Sequence, residues 1–304
     1  MSAQREMNWL RPALAAEFAL QGTDAYRIAG GEGCRIERFG DGVIVSDSAE
    51  APVSGVFEEL GAWCEKAGVV LEKIYVRRLV VGPGRDDAPR SMGRVPAQHT
   101  SVAHEEGLCY EVDFLAGYSC GLFLDQRANR RLLRTLNAGS VLNLFSYTCS
   151  FSVAAAVGGA RTLSVDLSKT ALERGRRNFA LNGLSLDGHR FIADDAFEVL
   201  PRLARRGEKF DAIVLDPPTF SRGRNGRLFR AENDYGRLIE MALECALPGT
   251  NILLSTSCSK FNALRLRALA SRHARLPVTF VASPALPDIP SGHGAATVWM
   301  QIDQ

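Results

Sequence analysis

Lysine is scarce in this chain. Of its 36 basic residues only five are lysines, at positions 66, 73, 169, 209 and 260, and the other 31 are arginines. The planar guanidinium fork suits phosphate and base recognition, although a GC-rich genome produces the same bias. The formal charge is only +2, so no bulk field draws in a polyanion. Histidine is also rare, with five residues and no HExxH spacing. The seven cysteines are scattered, odd in number and without a CxxC pair. That excludes a zinc ribbon or a disulfide framework and fits reduced thiols, so no metal site is expected. No apolar run approaches the ~18 residues of a membrane span. The first segment carries Arg5, Glu6, Arg11 and Glu17, so no signal-peptide core forms and a cytoplasmic enzyme is expected. Hydrophobic residues make up 46% and charged residues 23%, an ordinary globular mixture. The 304 residues allow one large domain or two modest ones.

The hydrophobic rhythm changes along the chain. Residues 1–25 read as a helix, 26–47 as a hairpin turning at Gly40-Asp41-Gly42, 54–68 as a second helix and 69–81 as a strand. Residues 82–98, rich in Gly, Pro and charge, read as a linker. LCYEVDFLAGYSCGLFLD, residues 108–125, alternates around Ala116-Gly117 like a second hairpin. From residue 126, short apolar strands alternate with helices. Strands are expected at 140–145, 162–166, 189–193, 211–215, 251–256, 278–282 and 297–302. This rhythm predicts an α/β fold, a doubly wound and mostly parallel sheet over 99–304, after a small α+β domain over 1–98.

Ligands of such sheets bind beyond the carboxyl ends of the strands. Asp166 lies there, about 20 residues past the first strand, where an acid can accept both ribose hydroxyls. Its alternative is a helix N-cap, although Ser168 could cap instead. The first turn, Phe145-Ser146-Tyr147-Thr148, has hydroxyls but no GxGxxG. A pyrophosphate needs close backbone approach, so a nucleoside without phosphates fits better, and S-adenosylmethionine is such a molecule. Asp194 and Asp195 compete for the adenine amino group. Asp216-Pro217-Pro218 removes two backbone donors and presents fixed acceptors to a planar base, unless it is only a rigid turn. Cys258 follows the fifth strand. Its thiolate could attack carbon 6 of a pyrimidine, though packing is the commoner fate of a cysteine. Arg127, Arg130, Arg131 and Arg134 share a helical face. Arg222, Arg224, Arg227 and Arg230 lie in a loop with no acid between residues 217 and 231, and either grip phosphates or face solvent.

GLFLDQRANRR (121–131), VLNLFSYTCSFSVAAAVGGA (141–160), VDLSKTALERGRRNFALNG (165–183), ADDAF (193–197) and VLDPPTFS (214–221) together resemble the bacterial large-subunit ribosomal RNA methyltransferases. TDAYRIAGGEGCRIERFGDGVIV (23–45) is similar to the small domain that precedes their catalytic domain in the cytosine branch. The resemblance implies a Rossmann-like class I methyltransferase sheet whose last strand is antiparallel. It implies S-adenosyl-L-methionine as cofactor. Gln126 and Arg127 fall on the family's cofactor-pocket motif, and Phe145, Ser146 and Tyr147 on its first cofactor loop. Asp166 falls on the ribose acid and Asp195, rather than Asp194, on the adenine-side acid. Asp216 and Pro217 fall on the active-site motif, and Ser257-Cys258-Ser259 on the Cys motif of the cytosine branch. Pro218, Phe220, Arg222 and Arg224 are expected to touch substrate. Cys149 stands where the family usually has glycine.

The expected function is methylation of a ribosomal RNA base, with 5-methylcytosine and a Cys258 nucleophile favoured. DPPTF leans instead toward the guanine branch, with Asp216 as the main catalytic group. A protein or small-molecule substrate, or a non-catalytic nucleic-acid-binding module, are the other readings. RNA is the expected partner, without membrane or metal, and a homodimer is compatible with the sequence.

Overall fold

The computed structural model describes residues 6–31, 33–48, 55–79, 89–93, 95–117, 119–223, 226–290 and 292–303. Within the expected linker over 82–98, residues 82–88 and 94 lie outside these residues, as does Arg224. The chain divides into two compact units, Met1–Leu124 and Asp125–Gln304.

The first unit begins with β1 (Met7–Trp9) and α1 (Pro12–Leu20). One helix over 1–25 was expected. Arg11 is instead extended, with φ −63° and ψ 131°. A residue before proline is pushed out of the helical region, so the helix starts at Pro12 and the preceding residues pair as a strand. There follow β2 (Ala25–Gly31), β3 (Cys34–Phe39), β4 (Gly42–Asp47), α2 (Val56–Ala67), β5 (Lys73–Arg78) and β6 (Arg90–Ser91). The strands form one sheet in the order β1-β2-β3-β4-β5-β6. Phe18, Tyr26, Ile28, Ile36, Val43, Val45, Leu60 and Trp63 share its core.

The second hairpin is displaced from its expected place. It consists of β7 (Thr100–Glu105) and β8 (Leu108–Asp113) and turns at Glu106-Gly107, not at Ala116-Gly117. Glu106 has φ 50° and Gly107 φ 80°, the left-handed pair that a two-residue hairpin turn requires. Asp24 N donates to His104 O at 3.0 Å, and Lys73 Nζ to Thr100 O at 2.9 Å. These bonds tie the hairpin to the first unit. The compact division therefore falls at 124/125 rather than at 98/99.

The second unit opens with a 3-10 turn at Leu124–Gln126. It continues through α3 (Arg127–Thr135), β9 (Ser140–Leu144), α4 (Ser150–Val157), β10 (Arg161–Asp166), α5 (Lys169–Leu181), β11 (Arg190–Ala193), α6 (Ala196–Arg205) and β12 (Phe210–Leu215). A short hairpin, β13 (Phe220–Arg222) and β14 (Leu228–Arg230), precedes α7 (Ala231–Leu243), β15 (Ala246–Thr256), α8 (Ala263–His273), β16 (Val278–Ala282) and β17 (Ala296–Ile302).

Its sheet runs β11-β10-β9-β12-β15-β17-β16. Strands β9 to β12 and β15 are parallel, and β17 is antiparallel to both neighbours. Alternate side chains serve opposite faces. Leu142, Leu144, Ile213, Leu215, Ile252 and Leu254 pack with α6, α7 and α8, while Val141, Val214 and Leu253 pack with α3 and α4. This is the doubly wound sheet that the strand–helix rhythm predicts. The strand order reverses between β9 and β12, so their carboxyl ends open a crevice there.

Candidate active site

The loop after β9 builds one wall of that crevice. Phe145, Tyr147 and Cys149 have φ 59°, 48° and 60°. Left-handed backbone costs a non-glycine residue about 1–2 kcal/mol, so surrounding bonds must hold the loop. They do so from β10. Ser146 N donates to Val165 O at 3.0 Å, and Tyr147 N to Asp166 Oδ2 at 2.8 Å. Asn178 Nδ2 donates to Thr148 O at 2.9 Å. Cys149 thus takes a left-handed conformation that glycine adopts without strain. Its thiol is buried, which pushes its pKa up to about 12, so it carries no reactive thiolate.

Asp166 ends β10. Its Oδ1 accepts from Ser168 N at 2.8 Å, so both oxygens are oriented by backbone amides. Burial raises its pKa, against the lowering effect of these two bonds. Ser168 caps α5 independently, accepting from Ala171 N at 3.1 Å. Asp166 is therefore not consumed as a helix cap.

After β11 the two acids part. Asp194 accepts from Asp195 N at 2.9 Å and pairs with Arg202. Asp195 caps α6 through Oδ1, accepting from Phe197 N at 2.9 Å. Its other oxygen faces Gly223, where an added Cβ would sit 2.4 Å away. Gly223 thus lets the β13–β14 backbone close against Asp195. Phe229 of β14 is buried between Phe145 and Phe197, with ring centroids 5.7 and 5.8 Å away. Arg227 stacks 3.8 Å over Phe197. The expected arginine loop is thus a hairpin, pinned at its root by Ala231 N donating to Thr219 O at 3.0 Å. Arg222, Arg230 and Phe220 remain exposed on it, Phe220 by 51%.

Asp216 follows β12 directly and lies beside Ser255 of β15, whose Oγ donates to Asp216 Oδ1 at 2.5 Å. Burial pushes the Asp216 pKa up to about 6, and the Asp125 carboxylate adds to this. The Ser255 bond and the Arg130 charge pull the other way. Pro217 is buried and Pro218 exposed. The Tyr235 hydroxyl of α7 shares its proton between Leu215 O and Ser255 O, each 3.0 Å away, and accepts from Ser255 N at 2.9 Å. One phenol therefore clamps the ends of both strands. Cys258 lies three residues beyond Ser255. It is 6% exposed and packs in the apolar core of the α6–α8 face. Phe261 N donates to its carbonyl at 2.9 Å.

The four arginines expected on one face of α3 divide: Arg131 is exposed and Arg134 half-buried, whereas the other two point inward. Arg127 and Arg130 are only 3% and 1% exposed. Arg127 forms a buried ion pair with Asp288, and Arg130 lies 5.8 Å over Phe151. Spacing placed these arginines on one face but could not tell which way it pointed. Gln126 is 2% exposed and donates to Ser255 Oγ at 2.8 Å. Ser255, Tyr235 and Asp288 were not singled out in the sequence. Ser255 could have been, because it sits at the end of the strand predicted over 251–256. Nothing local marks the other two.

Among the described residues the crevice offers an acid at the tip of β10, a second after β11 and a third after β12. These acceptors are compatible with S-adenosylmethionine, which carries vicinal ribose hydroxyls and an adenine amino group as donors.

Comparison with known proteins agrees. The chain is 35% identical over 254 residues to ribosomal RNA large subunit methyltransferase I of Klebsiella pneumoniae (strain 342), covering 78% of this chain and 61% of that one. It therefore spans about three fifths of the length of such relatives. Among solved structures it is similar to SMU.776, a methyltransferase complexed with SAH, with TM-score 0.81 and 27% identity over 95% of this chain and 78% of that one. A SAM-dependent methyltransferase from Streptococcus mutans gives TM-score 0.78 at 27% identity, with the same coverage of 95% and 78%. Residues 84–296 match the S-adenosylmethionine-dependent methyltransferase family, and the chain belongs to it.

Proposed function

We propose that the chain methylates a base of large-subunit ribosomal RNA, at carbon 5 of a cytosine, with Cys258 as nucleophile and Asp216 as acid. The observation that carries this reading is the pairing of Asp216 with Ser255, which brings the Cys258 segment to the strand end beside Asp216. The 35% identity to a ribosomal RNA methyltransferase supports the substrate class.

Bound S-adenosylmethionine supplies an electrophilic methyl on a sulfonium. Carbon 5 of cytosine is a weak nucleophile. The Cys258 thiolate adds to carbon 6, and the electron pair moves onto the ring. Protonated Asp216 donates to ring nitrogen 3, a role its raised pKa suits. Carbon 5, made nucleophilic in this way, would accept the methyl that the cofactor supplies. A solvent base then takes the carbon 5 proton, the Cys258 thiolate is expelled, and nitrogen 3 returns its proton to Asp216, which restores both base and acid.

A second reading has one specific observation in its favour. Cys258 is buried among apolar side chains, as a packing cysteine is. Methylation of a guanine nitrogen needs no thiol, only Asp216 as an ionised acceptor and correct positioning. Trapping with 5-fluorocytosine RNA separates the two, because fluorine blocks the proton loss that releases the enzyme.

Two further outcomes follow from the geometry. Asp166→Ala removes a charged acceptor of the ribose, worth about 1.5–3 kcal/mol, so calorimetry should show S-adenosylmethionine binding weakened roughly 10–100-fold. Unchanged affinity in a folded variant excludes Asp166 as the ribose acid. Arg222, Arg224 and Arg230, replaced together by Gln, should weaken RNA binding and flatten its log–log salt dependence by about 0.7–0.9 per lost phosphate contact. Arg227 is left intact because it stacks on Phe197. An unaltered slope makes the hairpin a solvated surface.

A further inference from the structure

A chain of buried hydrogen bonds crosses the second unit and ends on Asp216. Trp299 Nε1 of β17 donates to Asn129 Oδ1 of α3 at 3.0 Å. Asn129 Nδ2 donates to Gln126 Oε1 at 2.8 Å. Gln126 Nε2 donates to Ser255 Oγ at 2.8 Å, and Ser255 Oγ donates to Asp216 Oδ1 at 2.5 Å. Its direction is not arbitrary. An indole N–H can only donate, so the Asn129 oxygen must face it. The Asn129 amide then turns its NH₂ to Gln126, whose own NH₂ turns to Ser255. The serine oxygen is occupied as an acceptor, so its proton has one strong acceptor left, the carboxylate. Amide orientations are ordinarily ambiguous, but here the tryptophan sets both.

We infer that Ser255, Gln126 and Asn129 are positioning residues, which hold Asp216 Oδ1 as a permanent acceptor and leave Oδ2 to exchange its proton with the substrate base. This rests on the reading that Asp216 acts on that base. It gives Gln126 a task different from the cofactor contact implied by the family motif. The relay spans α3, β17, β15 and β12, so it also keeps the carboxylate from rotating when a base arrives. The other charged or titratable groups around Asp216 are Asp125 on the 3-10 turn, Arg130 on α3 and Tyr235 on α7.

The test is the titration of the Asp216 carboxyl carbon by NMR, assigned by its loss in Asp216→Asn, together with the pH profile of methyl transfer. In Ser255→Ala, Asp216 should titrate roughly one to two pH units higher, because a hydrogen bond to its charged form is gone. The rate limb set by Asp216 should move with it, while S-adenosylmethionine affinity stays within about twofold. Ser255→Thr, which keeps the hydroxyl, should restore both. Trp299→Phe keeps the ring in the core but frees Asn129 to turn, and should shift the titration in the same direction by less. A lower rate in Ser255→Ala with an unmoved titration would make the serine merely structural and overturn the relay. An equal loss in Ser255→Thr would do the same. Full activity of Asp216→Asn would instead remove the catalytic reading of Asp216, and the NMR titration would still report on the relay by itself.

Discussion

Cys258→Ala is expected to lower methyl transfer by roughly 10⁴–10⁶-fold, the scale on which removal of a covalent nucleophile acts. The cofactor should still bind, because Asp166 and Asp195, the acids proposed to hold it, lie at the end of β10 and after β11, while Cys258 follows β15. Wild-type protein mixed with 5-fluorocytosine RNA and S-adenosylmethionine should form an adduct that survives denaturing electrophoresis, and the variant should form none. Cys258 is buried in the apolar core, so attack on carbon 6 requires the base to reach a thiol now covered by its neighbours. Near-normal methylation by Cys258→Ala would show the thiol to be packing, and the guanine-type reading would then hold.

Asp216→Asn is expected to cost about 10²–10⁴-fold in kcat, the usual contribution of a positioned acid or base. The amide keeps the shape and still accepts from Ser255, so folding should survive. It cannot ionise or give up a proton at neutral pH. The pH profile of the wild type then discriminates between the chemistries. The Asp216 pKa is pushed up to about 6. If the acid form donates to nitrogen 3 of cytosine, the kcat/KM limb assigned to Asp216 falls as pH rises through about 6. If the carboxylate accepts from a guanine ring N–H, that limb falls as pH drops through the same region. A profile with no limb that Asp216→Asn abolishes would exclude both roles.

Much of the second unit was legible from local pattern. Its strands are apolar and four to seven residues long in most cases, and helices with their own caps intervene, as at Ser168 and Asp195. The exceptions are β13 and β14, three residues each, and β15, whose first residues carry Pro248 and Gly249 and read as a turn rather than a strand. The first unit was less legible. Pro12 cut the expected first helix short, and the hairpin turn fell at Glu106-Gly107 because that pair, rather than Ala116-Gly117, takes two successive positive φ angles.

The sequence by itself determined the alternation of strands and helices, and hence a sheet whose carboxyl ends must carry the chemistry. It placed Asp166, Asp195 and Asp216 at those ends, because a residue just past a parallel strand has nowhere else to be. Tertiary structure decided what spacing cannot encode. It buried Arg127 against Asp288, since periodicity defines a helix face but not its direction. It divided Asp194 from Asp195 by giving one to Arg202 and the other to α6. It aligned Trp299, Asn129, Gln126 and Ser255, whose hydrogen-bonded partners lie up to 170 residues apart along the chain, into one directed set of hydrogen bonds. Such a set exists only where separate elements pack closely enough for each buried polar group to meet a partner.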